Sequence, residues 1–113
     1  MATTRWRLAA ARAPATTEPA VERQASVVIG SRGLTLSPAH VKTVADSTLI
    51  VVFRIRNATP VGRRLVVGSF RSPVVPPGRT RRYSVAFVRP GPISCRSTPG
   101  RGNAFARTLT ITA

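Results

Sequence analysis

No apolar run in this chain continues far before a proline or glycine interrupts it. Ten prolines and eight glycines are scattered between short stretches rich in Val, Ile, Leu and Thr. Proline withholds a backbone donor and fixes φ, so a chain punctuated this way excludes long helices and favours many short strands joined by turns. From residue 26 onward the β-branched runs are 26–29, 34–36, 41–44, 48–57, 64–67, 83–88, 93–95 and 107–112. Turn signals separate them at Pro60, Pro73, Pro76-Pro77-Gly78, Pro90-Gly91-Pro92 and Pro99-Gly100. The pattern predicts an all-β fold, a Greek-key β-sandwich of about seven to eight strands.

Alternation assigns the faces. In the longest run, Leu49, Val51, Phe53 and Ile55 form the core side and Ile50, Val52, Arg54 and Arg56 the opposite side. The same rule sets Tyr83, Val85 and Phe87 on one face and Ser84, Ala86 and Val88 on the other, and it aligns Leu109 with Ile111. With 113 residues there is room for one compact domain. Residues 1–25, rich in Ala, Thr, Pro and Arg, read as a flexible basic arm, and residues 26–113 as the domain.

Charge narrows the range of functions. Eighteen basic residues face three acidic ones, for a net charge of +15, and Lys42 is the single Lys among the basic set. Arg holds phosphate or carboxylate through two parallel hydrogen bonds, so a polyanion or an acidic protein is the partner this balance suits. The candidate anion-binding residues are Arg63, Arg64, Arg79, Arg81, Arg82 and Arg101. Few aromatic side chains are available to stack on bases, and no recognition-helix pattern is present, so such binding is expected to be nonspecific.

Catalytic chemistry finds little support. The carboxylates are Glu18, Glu22 and Asp46, two of them in the arm, and they form no acid–base pair. A Cys–His nucleophile would require Cys95, the only cysteine, to meet His40, the only histidine. One Cys and one His cannot make a zinc site. The protein is not expected to be an enzyme. No apolar stretch approaches the roughly 18 residues of a spanning helix. The start of the chain does not read as a secretory signal, because its longest apolar stretch, 8–11, falls short of the roughly 7 to 15 residues such signals carry.

The series Gly33-Leu34-Thr35-Leu36-Ser37-Pro38, Val41 and Val44, the strand ending at Asn57, Val75-Pro76-Pro77-Gly78, Pro90-Gly91, Cys95 and Thr108-Leu109 resembles the cupredoxin family, the blue-copper proteins and their relatives. The likeness covers 26–113. It implies a copper site built from a Cys, two His and an axial Met, and an extracytoplasmic location. Only the thiolate candidate, Cys95, is kept. The first His falls in the neighbourhood Gly62-Arg63-Arg64-Leu65, the second is replaced by Gly100 or Arg101, and the axial Met by Phe105. Pro99-Gly100 also stands one place later than the family pattern. Type 1 copper needs soft and imidazole donors in a trigonal set, and guanidinium groups neither ligate nor tolerate a nearby cation. No cofactor is expected. The sequence therefore reads first as a non-catalytic cupredoxin-like binding or structural module that has lost its type 1 copper. The alternatives are a copper-binding electron-transfer protein with an atypical site and a nonspecific polyanion-binding module.

Overall fold

The computed structural model describes residues 20–44, 47–98 and 105–112. They form nine strands: β1 Ala20–Gly30, β2 Gly33–Ser37, β3 His40–Lys42, β4 Thr48–Asn57, β5 Arg64–Val67, β6 Phe70–Arg71, β7 Thr80–Phe87, β8 Gly91–Thr98 and β9 Ala106–Thr112. No helix among the described residues is long and apolar enough to cross a membrane.

Two mixed sheets build a sandwich. The first has the order β2-β1-β4-β7, with β1 and β4 parallel and the other pairs antiparallel. The second has the order β3-β9-β8-β5-β6, with only β3 and β9 parallel. The chain changes sheet after β2, β3, β4, β6 and β7, so among these strands β1–β2, β5–β6 and β8–β9 are the sequence neighbours that also pair in space. The expected sandwich is therefore present, with one strand more than the sequence suggested. The extra strand is β6, whose two residues carry too little pattern to be read alone.

The boundary of the basic arm moves. Residues 20–25, expected in the arm, belong to β1, where they pair with Thr48 to Phe53 of β4. Ala25 is buried against the core and Val21 packs at its edge. The arm as read mixes Glu22, Arg23 and Gln24 into this stretch, which masks its alternation. Residues 1–19 lie outside the described residues.

Alternation otherwise placed the core. Leu49, Val51, Phe53 and Ile55 are buried, and they meet Val27, Ile29, Leu65, Val67, Val85, Cys95, Leu109 and Ile111 in one cluster between the sheets. Aromatic residues are few, so Phe53 is the largest fully buried side chain. Truncating it to Ala would cost about 3 to 5 kcal/mol.

Candidate functional site

The end of the sandwich where β4 stops is organised by Asn57. Its side chain is buried and makes four hydrogen bonds. The amide nitrogen donates to Val61 O at 2.7 Å and to Val75 O at 2.8 Å, while Oδ1 accepts from Thr59 N at 3.0 Å and Thr59 Oγ1 at 2.7 Å. Its backbone is held as well: Asn57 N donates to Arg79 O, and Gly78 N donates to Asn57 O. Both donors and both acceptor positions of the amide are thus used, which is what makes a buried Asn stable. Gly78 has φ 72°, a left-handed conformation that glycine adopts without strain, and it closes the turn after Pro76-Pro77.

This knot fixes the segment that follows. Arg63 pairs with Val75 through two backbone hydrogen bonds, at 3.1 and 2.7 Å. Gly62 just before it has no Cβ because Val74 Cγ1 occupies that space, 2.7 Å from where the Cβ would stand. The Arg63 side chain then turns toward the loop end. Its Nε donates to Thr59 Oγ1 at 3.3 Å, and its guanidinium carbon lies 5.6 Å from the centre of the Phe105 ring. A cation over an aromatic face at this distance is attracted by the ring quadrupole, an effect of about 0.5 to 1 kcal/mol at partly exposed sites. Two residues singled out from separate parts of the sequence are thus in contact.

Cys95 lies on β8, pairing with Val67 of β5 and Arg107 of β9, and is fully buried. Burial pushes its thiol up to about 11, with a backbone hydrogen bond from Leu109 opposing the rise. Ser97, two residues further on the same inward face, is also buried, and its hydroxyl has no hydrogen-bond partner. His40 is exposed on β3 opposite Thr110, whereas Cys95 is opposite Arg107 and faces inward. The two do not meet. Among the described residues no three of His, Cys, Asp and Glu come together.

Of the six arginines named from the sequence, five are among the described residues, and they stand on separate elements. Arg63 is half-buried beside Phe105, Arg64 is exposed on β5, Arg79 is exposed just before β7, and Arg81 and Arg82 are exposed within it. Arg101 lies outside the described residues. Arg82 stands opposite Arg54 in the β4–β7 ladder, whereas Arg81 stands opposite the core residue Ile55. Arg81 and Arg82 therefore leave the sheet on opposite sides. Alternation placed Arg54 and Arg56 together on the outward side, but Arg82 joins them only through a cross-strand register that no local pattern reveals.

No family model matches this sequence, and no curated protein matches it. A solved structure does: a copper-containing nitrite reductase from Thermus scotoductus SA-01 superposes with a TM-score of 0.50 at 17% identity, over 85% of this chain and 28% of that one. The chain thus spans under a third of the length of that enzyme. At this identity the likeness concerns the fold alone. The fold is a cupredoxin-like β-sandwich.

Proposed function

We propose that this chain is a non-catalytic cupredoxin-like module in which a guanidinium–aromatic contact stands where the family holds copper. The observation that carries the reading is the Arg63 guanidinium lying 5.6 Å from the Phe105 ring centre and tied by Nε to Thr59. A permanent cation there opposes a second one, and Arg63 offers no lone pair to a metal. The remaining donor, Cys95, is a buried thiol with its acidity lowered by desolvation, and a soft site needs a thiolate. The residues present do not fit a type 1 ion. Thr59, Arg63 and Phe105 instead close the end of the sandwich as a structural plug.

Addition of one equivalent of Cu(II) to the purified protein tests this. No intense thiolate-to-copper charge-transfer band is expected, and the spectrum should match that of Cys95→Ser. A strong band that disappears in Cys95→Ser would overturn the reading and favour an electron-transfer protein with an atypical site.

A further inference from the structure

The two ladders place arginines in compact groups on both outer faces of the sandwich. On the first sheet, one cross-strand row reads Ser37, Ser26, Arg54, Arg82 across β2, β1, β4 and β7, and the next reads Thr35, Val28, Arg56, Thr80. Arg54, Arg56 and Arg82 are exposed and stand directly opposite or diagonal to one another. On the second sheet, the row Arg71, Val66, Arg96 crosses β6, β5 and β8, and Arg64 lies diagonal to Arg96 in the next row. Val66 points outward yet is only 3% exposed. Its neighbours in the row are two arginines, whose aliphatic stems are long enough to cover an apolar residue while their heads stay in water.

The carboxylate among the described residues, Glu22, pairs with Ile50, four register steps from Arg54. Neither group therefore has a carboxylate beside it in its rows. Each combines three forked donors with flanking hydroxyls, the side chains that hold phosphate oxygens. Neither presents an aromatic ring outward: Tyr83 is buried, and Phe70 and Phe87 pack against the core. Flat faces without stacking platforms do not suit single strands. They suit the regular phosphate rows of a duplex, which carries about one charge per 1.7 Å of axis.

We propose that the domain is a two-faced binder of duplex nucleic acid, with Arg54, Arg56 and Arg82 on one face and Arg64, Arg71 and Arg96 on the other, so that a single copy bridges two duplexes. The two groups stand on the outer sides of different sheets with the core between them, so that the duplexes would be held on opposite sides of the domain. Recognition is through the backbone, without sequence preference. Neither face includes Arg63 or Phe105.

The test uses the full chain and two duplexes carrying a donor and an acceptor fluorophore, together with three charge-matched variants whose folding is checked by circular dichroism. The first face is removed by Arg54→Gln, Arg56→Gln and Arg82→Gln, the second by Arg64→Gln, Arg71→Gln and Arg96→Gln. A scattered control takes Arg23→Gln, Arg32→Gln and Arg89→Gln. The wild type and the scattered control are expected to give energy transfer between duplexes. Each face variant should lose it while still binding one duplex, about twofold weaker than the scattered control because one of two sites is gone. With three phosphate contacts left, affinity should fall about 40-fold between 50 and 200 mM salt. Absence of transfer in the wild type, equal transfer in all three variants, or equally tight binding of single strands would overturn the proposal.

Discussion

A thiol in an apolar interior is a weaker acid than one in water, because burial penalises the thiolate. Cys95 is such a case, pushed up to about 11 from an ordinary value of 9.0. As pH rises, the unfolded chain releases this proton first. The contribution of Cys95 to stability is therefore intact below pH 9 and lost as pH rises toward 11, a change of roughly 2 to 3 kcal/mol. Denaturant unfolding from pH 8 to 11 checks this, with Cys95→Ala as reference. The stability difference between wild type and variant should shrink across that window, and a difference flat with pH would show the thiol to be more solvated than the packing indicates. At this scale the sequence was partly legible. A strand ending at Asn57 could be read from it. The bonds that make Asn57 structural could not, because one of them reaches Val75, 18 positions away. A still larger separation hid the meeting of Arg63 and Phe105, residues from two segments that only the fold brings together.

At the scale of elements, period-two alternation revealed most strands because each sheet has one buried face. It failed where the alternation ended or was too short: at the start of β1, where charged residues continue a ladder with β4, and at β6. It could not reveal the register between strands, and the register decides the arrangement of charge. Arg54 directly opposite Arg82 in an antiparallel pair is a like-charge contact, which costs roughly 0.2 to 1 kcal/mol. Replacing one member should relieve it. Arg54→Gln is expected to stabilise the fold by an amount in that range at low salt, more than Arg89→Gln, which removes a charge from the loop between β7 and β8. The gain should fade near 1 M salt, where screening acts over about 3 Å. If Arg54→Gln is neutral or destabilising at low salt, the two guanidinium groups point away from each other, and the row is not a site held at a cost to stability.

For the whole molecule, a net charge of +15 on 113 residues raises the question whether repulsion is merely endured or is used. General repulsion would be relieved by any added salt, and the relief would be indifferent to which arginines were removed. Two built faces make a stoichiometric claim instead. A ligand that binds only the folded state stabilises it by about 2.7 kcal/mol per site when present at 100 times its dissociation constant. A short duplex at that concentration and constant low salt should therefore stabilise the wild type by about 5.4 kcal/mol, twice that single-site contribution. The variant lacking Arg54, Arg56 and Arg82, and the variant lacking Arg64, Arg71 and Arg96, should each keep only about half of this stabilisation, while the scattered control should keep nearly all of it. Chemical unfolding with and without duplex measures these values on the same samples. A graded loss that follows net charge alone, equal in all three variants, would mean that the arginines act as a diffuse field and that the sandwich has no phosphate-binding faces.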